Sequence, residues 1–217
     1  MRKRLEKIFE LIPKTTSFAD VGCDHGFIAK RVLESGKCSR ITVSDVSLPS
    51  LQKAEKLLKK SIDSGFVTSV CCDGLTKIPA DTETVLIAGM GGEEIIKIIK
   101  ESHFLPPILI LQPMKNVDKV RKTLFEYGYG IKKDFIFFTK RYYNVIVAYL
   151  GEKVQPYSSL EYAFGRDNLI ERSEDFLNYL RREVSIAERY AKGVVSLCDL
   201  AEANNRLTVM KELLNDN

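Results

Sequence analysis

Two apolar runs, KKDFIFFT and YYNVIVAYL, are separated by only Lys140 and Arg141. A parallel crossover needs a dozen or more residues, so these two strands must pair antiparallel. Upstream, from residue 18 onward, short β-branched or apolar runs alternate with helical stretches, the pattern of a parallel α/β sheet. Strands are expected at SFADVG, RITVSDV, VTSVCCD, TVLIAGM and PILILQP, with helices near residues 27–34, 49–64, 93–102 and 117–127. The chain therefore reads as five strands of an α/β series closed by a reversed hairpin.

After Gly151 the pattern changes. YSSLEYAFGRDN reads as a polar, turn-rich joint, and the remaining residues read as helical. Apolar or small residues recur in steps of three and four at Leu169, Ser173, Phe176, Leu180, Val184, Ala187 and Ala191, then at Leu200, Ala203, Leu207, Met210 and Leu214. This predicts two antiparallel helices meeting about Gly193 along a coiled-coil seam. Two domains are expected, residues 1–151 and 152–217. Seven strands with a reversed terminal hairpin is the architecture of class I S-adenosylmethionine-dependent methyltransferases, a Rossmann-like fold; a plain dinucleotide-binding sheet would continue with parallel strands.

Composition narrows the setting. At 45% hydrophobic and 29% charged residues, the chain can bury a core and is not disordered. MRKRLEKIFELIP alternates charge with apolar residues as an amphipathic helix does, unlike a secretory leader. Apolar runs such as VIVAYL fall far short of the ~20 residues a membrane span needs, so a cytoplasmic protein with no membrane partner is expected. The five cysteines lack paired C-x-x-C spacing, which argues against structural zinc or a disulfide framework. Residues 1–150 hold 24 Lys and Arg against 17 Asp and Glu, whereas residues 151–217 hold 9 against 12, so the positive character lies in the first part. That balance is compatible with a polyanionic partner such as RNA.

The site is expected where the first strand hands over to the first helix, at ADVGCDHGFI. A dinucleotide site wants G-x-G-x-x-G, whose middle Gly lets a pyrophosphate approach the backbone. Here Gly22-Cys23-Asp24-His25-Gly26 puts a carboxylate in that place, which repels an anion and favours a sulfonium donor with an ammonium tail. Asp45 ends the second strand at the spacing where an acid accepts from ribose hydroxyls. Asp73 ends the third beside Gly74, placed for an adenine amino group. The fourth strand runs into Gly89-Met90-Gly91-Gly92, and the fifth ends in Gln112-Pro113, whose amide can meet a base edge. With no third ligand beside Asp24 and His25, no metal site is expected. His103 reads as a surface or capping residue.

Taken together, ADVGCDHGFIAKRV, DVSLPSLQKAEK, CDGL, LIAGMGGEEIIKII and LILQPMKNVDKVRKTLFEYGY resemble the bacterial tRNA (adenine-N1)-methyltransferase family known as TrmK, which modifies adenine 22 of the D-arm. AGMGGE followed by LILQP is the most specific part. Met114 stands where the family has Asn after Gln-Pro, and Cys23 with GFIA departs from its first turn.

The resemblance implies S-adenosyl-L-methionine as methyl donor and tRNA as substrate, with a monomer expected. It implies donor contacts from Arg4, Gly22, Cys23, Asp24, His25, Gly26, Asp45, Val46, Asp73, Gly74, Leu75, Gly89, Met90 and Gly91, and a catalytic set of Asp24, Gln112 and Pro113. Asp24 has two open roles, stabilising the cationic product base or holding the donor's ammonium. Tyr142, Tyr143 or Phe27 are candidates to stack on an extruded base. Arg2, Lys3, Arg4, Lys115, Lys119, Lys122 and Lys140 or Arg141 are candidate RNA contacts. The alternative is a class I methyltransferase acting on a small molecule or protein.

Overall fold

The computed structural model describes residues 3–191 and 197–215. Arg2, the expected turn at Gly193, and the side chains of Ala191, Cys198, Leu200 and Ala203 lie outside the described residues. In chain order the elements are α1 Lys3–Leu11, β1 Phe18–Val21, α2 Phe27–Glu34, β2 Ile41–Asp45, α3 Leu48–Asp63, β3 Val67–Cys71, β4 Thr84–Met90, α4 Gly92–Lys100, β5 Ile108–Pro113, α5 Val117–Glu126, β6 Tyr129–Phe138, β7 Tyr142–Leu150, α6 Ser159–Phe164, α7 Arg166–Glu171, α8 Glu174–Ala191 and α9 Leu197–Asn215.

The seven strands form one sheet in the order β3-β2-β1-β4-β5-β7-β6. β1 pairs in parallel with both β2 and β4, with Phe18 opposite Ile41 and Thr84, so the chain reverses its direction of travel across the sheet beside β1. β7 runs antiparallel to both β5 and β6, as the two-residue spacing between the last apolar runs requires. This is the class I methyltransferase order.

β1 and β5 are buried along their whole length. Strands covered by helices on both faces have no solvent side, so they read as continuous apolar runs instead of alternating ones. One face packs Ile8, Ile28 and Leu51 from α1, α2 and α3. The other packs Ile95, Val120 and Leu124 from α4 and α5. Each fully buried side chain of this kind contributes about 1.5–3 kcal/mol. No described helix is long and apolar enough to cross a membrane.

The segment after Gly151 departs from the expected joint. Ser158 Oγ accepts the N–H of Glu161 at 3.3 Å while Glu161 Oε2 accepts the N–H of Ser158 at 2.6 Å, a reciprocal capping box that starts α6. α7 comes directly after it. Its neighbourhood caps the outer edge of β6: Asp167 accepts from Asp134 N at 2.9 Å, Asn168 from Ile136 N at 2.8 Å and Asp175 from Phe138 N at 3.0 Å. Behind this row, Arg121 of α5 grips Asp134 with two bonds of 2.8 and 2.9 Å, both side chains being fully buried. Arg121 also donates to the Tyr162 carbonyl, and the Tyr157 hydroxyl donates to Asp134. Ile136, Phe164, Phe176, Leu180 and Met210 complete a third apolar cluster that seats α8 and α9 on β6.

Candidate active site

The β1–α2 turn is built from left-handed residues. Gly22, Asp24 and Gly26 have φ of 71°, 46° and 69°. The positive φ is what calls for Gly at position 22; a Cβ there would also lie 2.2 Å from the Met90 methyl carbon, the end of a flexible side chain that would have to move aside. Asp24 is a side chain that tolerates this region better than most. The turn is pinned to β2, because Gly22 N and Cys23 N both donate to the Ser44 carbonyl, at 2.8 and 3.0 Å. Asp45 fixes it further. One carboxylate oxygen accepts the Asp24 N–H at 3.3 Å and the other accepts the Ser47 N–H at 2.8 Å, which also sets the start of α3.

A cavity of about 800 Å³ opens above this turn, at the carboxyl ends of β1, β2 and β4. Of the expected residues, Arg4, Gly22, Cys23, Asp24, His25, Asp45, Val46, Asp73, Gly74, Gly89 and Met90 line it. Five others stand behind it. Gly26 caps α2 against Ala54 and Leu58, Leu75 is buried in the core, and Gly91 caps α4. Gln112 and Pro113 are buried at the end of β5. Gln112 reaches the site through Arg4, whose Nη1 donates to Gln112 Oε1 at 2.8 Å. Gly92 serves packing, since a Cβ there would meet the Lys115 carbonyl oxygen at 2.3 Å.

The acids differ in setting. Asp24 is exposed at the lip, with Lys53 Nζ at 3.1 Å and His25 Nε2 at 3.5 Å. Asp73 pairs with Lys97 at 3.0 Å. Asp20 also lines the cavity, and sequence reading did not single it out. It is buried in β1, and its carboxyl is pushed up to about 7 by loss of solvent, a shift opposed by the Ala29 N–H and reinforced by the Asp45 charge. Its only sequence signal is its place two residues before Gly22. Cys72 and Glu94 are likewise lining residues outside the expected set. Burial and the neighbouring Asp20 and Asp45 charges push the Cys23 thiol up, so it stays a neutral wall and offers no thiolate nucleophile. Among the described residues no group of three or more His, Cys, Asp or Glu is arranged to hold a metal ion.

The aromatic candidates separate cleanly. Phe27 is 47% exposed, lines the cavity and stacks on His25 with ring centroids 5.3 Å apart. Tyr142 and Tyr143 are successive residues of β7 and face opposite sides of the sheet. Tyr142 packs against Phe138 and Tyr179, and Tyr143 packs against Phe137 with the Arg4 guanidinium 5.5 Å above its ring. Of the basic candidates, Lys119 is engaged by Glu93 at 2.6 Å and Lys122 lies over the Tyr162 ring. Lys140 and Arg141 are exposed at the hairpin tip, and His103 is packed beside Phe104.

A cavity of this size suits a nucleoside-sized ligand, for which sites of roughly 300–1,000 Å³ are usual. Its four Asp carboxyl groups favour a cationic or hydroxyl-rich molecule, and Arg4 supplies one point for an anionic group.

Comparison with known proteins agrees with this fold. A Mycoplasma pneumoniae relative is 32% identical over 126 residues, 57% of this chain, and the matched region spans 59% of that relative's length. The tRNA (adenine(22)-N(1))-methyltransferase of Bacillus subtilis is 24% identical over 99% of this chain and 97% of its own. The Mycoplasma capricolum TrmK structure, solved with S-adenosyl-homocysteine, superposes with a TM-score of 0.90 at 22% identity, covering 99% of this chain and 98% of that one, which is a likeness of fold. The methyltransferase domain family matches residues 1–146, two-thirds of the sequence and all of the cavity, and the chain belongs to that family.

Proposed function

We infer that this chain transfers a methyl group from S-adenosyl-L-methionine to N1 of adenine 22 in tRNA. The observation that carries the reading is the cavity that joins Arg4 to Asp20, Asp24, Asp45 and Asp73 at the carboxyl ends of the strands. The choice of acceptor is supported by the B. subtilis tRNA (adenine(22)-N(1))-methyltransferase, whose likeness runs through the helical tail as well as the sheet.

The donor would supply a methyl group on a sulfonium centre. Asp45, already anchored by two backbone N–H groups, keeps lone pairs for ribose hydroxyls. Asp73, on the cavity wall, would accept from the adenine amino group. Arg4, held by Gln112, would pair with the amino acid carboxylate, and Asp20 would offset positive charge at that end of the cavity. Adenine N1 carries a lone pair and no proton, so attack on the methyl needs no general base. The product base is cationic. Asp24 stands at the lip with its carboxylate turned between Lys53 and His25. There it either stabilises the cation as it forms or holds the donor's ammonium. Phe27 on His25 offers the target base a surface to stack on.

The test is labelled S-adenosylmethionine with unmodified tRNA carrying adenine at position 22, beside the same tRNA with that base changed. Label on the first alone is expected. Equal label on both removes the proposed target, and donor binding without label on either points to another acceptor. Asp24→Ala is expected to lower kcat about a hundredfold, the loss of roughly 2.7 kcal/mol of electrostatic stabilisation; an equal collapse of donor affinity assigns it to donor binding.

A further inference from the structure

The chain after Gly151 carries net negative charge, yet one face of it is cationic. Five acids of this region are used internally. Asp167 and Asp175 accept backbone N–H groups of β6, Glu161 pairs with Arg166 at 2.5 Å, and Glu188 pairs with Lys211 at 2.7 Å. Glu174 accepts from Asn178. Among the residues α8 exposes, Arg181, Arg182, Ser185 and Arg189 form a stripe at helical spacing. Arg181 is steered by the Asn178 amide oxygen at 2.8 Å and Arg189 by the Ser185 carbonyl at 3.2 Å, neutral partners that orient a guanidinium without cancelling its charge. Arg182 lies 5.9 Å over the Tyr142 ring, and its nearest acid, Glu183, is at 4.0 Å.

Tyr142 is the link to the cavity. It opens β7, immediately after the hairpin tip that exposes Lys140 and Arg141. Because β7 runs antiparallel to β5, with Leu111 opposite Ile146, this tip stands at the carboxyl end of β5, on the cavity side of the sheet. The next residue, Tyr143, carries Arg4 of the cavity wall over its ring. Among the described residues Lys140, Arg141, Arg181 and Arg189 take part in no ion pair, and Arg182 has only Glu183 at 4.0 Å. A row of cations, with an acid within 4.0 Å of Arg182 alone, therefore runs from the lip of the cavity, over the hairpin tip, and along α8.

We propose that this row, Lys140, Arg141, Arg181, Arg182 and Arg189, is the docking surface for the phosphate backbone of the RNA whose base enters the cavity. The proposal rests on the tRNA reading and adds to it which face of the chain holds the RNA body. Arginine forks suit phosphate oxygens, and a row of them binds backbone without reading sequence. It sets the direction in which RNA leaves the cavity, toward β6 and α8 and away from α3.

The test compares Lys140→Gln/Arg141→Gln and Arg181→Gln/Arg189→Gln with Lys59→Gln/Lys60→Gln on α3, at the other side of the sheet. Each of the first two pairs is expected to raise the KM for full-length tRNA about tenfold, to leave donor affinity unchanged, and to flatten the slope of log affinity against log salt by about one to two. The α3 pair is expected to change none of these. Arg181→Lys/Arg189→Lys, which keeps the charge, is expected to recover most of the loss, and an unchanged thermal midpoint separates a binding defect from misfolding. Active variants with unaltered tRNA KM and salt slope overturn the docking surface while leaving the methyltransferase reading intact. A wild-type chain that binds S-adenosylmethionine but no tRNA overturns the docking surface together with the tRNA reading.

Discussion

The Arg4 guanidinium donates to Gln112 Oε1 across 108 residues of sequence, tying the first helix to the tip of β5 at the edge of the cavity. Gln112 is fully buried and Arg4 is partly exposed, so the amide holds the cation from behind. Gln112→Leu removes the acceptor without changing side-chain bulk greatly. Donor affinity, measured by calorimetry, is expected to fall about tenfold, the worth of one charge-assisted hydrogen bond of roughly 1.5 kcal/mol. Arg4→Ala should lose at least as much, and the double variant little more than Arg4→Ala alone, because the two residues act through one contact.

Gly22→Ala tests the turn. A methyl group at φ of 71° meets both backbone strain and the Met90 side chain. A cost of about 1–3 kcal/mol in denaturant unfolding is expected, with loss of donor binding. Gly22→Ala/Met90→Ala removes the contact but not the strain, so it should recover little of the stability.

Asp20 makes stability depend on pH in a set direction. Its carboxyl ionises near 7 in the folded chain and near 3.8 when exposed. Between those values the unfolded chain binds fewer protons, so this group's contribution to stability falls as pH rises from about 4 to 7. Asp20→Asn should therefore be more stable than wild type at pH 8, by about 4 kcal/mol at most, with the gap closing at pH 4. A cationic donor favours the ionised acid, so wild-type donor affinity is expected to rise severalfold from pH 6 to 8 and that of Asp20→Asn to stay flat.

The Arg121–Asp134 pair is expected to be costly to break. Arg121→Met leaves the Asp134 carboxylate buried beside Tyr157 with no cation, a loss of about 3–5 kcal/mol in urea unfolding. Arg121→Met/Asp134→Leu removes the stranded charge and should recover a large part of it.

Each element was legible in the sequence to the degree that its signal is local. The two-residue gap at Lys140 and Arg141 dictates an antiparallel pair whatever the rest of the chain does, and the sheet order agrees with it. Asp45 and Asp73 were findable because strand ends stop at turn residues. Asp20 was hidden because β1 is buried on both faces, so an acid within it has no alternation to mark which way it points. α6 was missed although Ser158 and Glu161 spell a helix start, because only six residues separate Ser158 from Gly165. Tyr142 and Tyr143 differ by one position, and in a strand that single step exchanges the two faces of the sheet. Which of them borders Arg4 depends on the pairing of β7, a long-range fact.

The row of Asp167, Asn168 and Asp175 against β6 has a bearing on how this chain can be cut or joined. An open strand edge is a template on which another chain can grow, and here three side chains occupy it in place of a neighbouring strand. Ending the chain after Gly151 would free the N–H groups of Asp134, Ile136 and Phe138 and leave Asp134 without its cover. The tail thus covers the exposed edge of the last strand of the sheet, and a shortened protein is expected to self-associate before it loses its cavity.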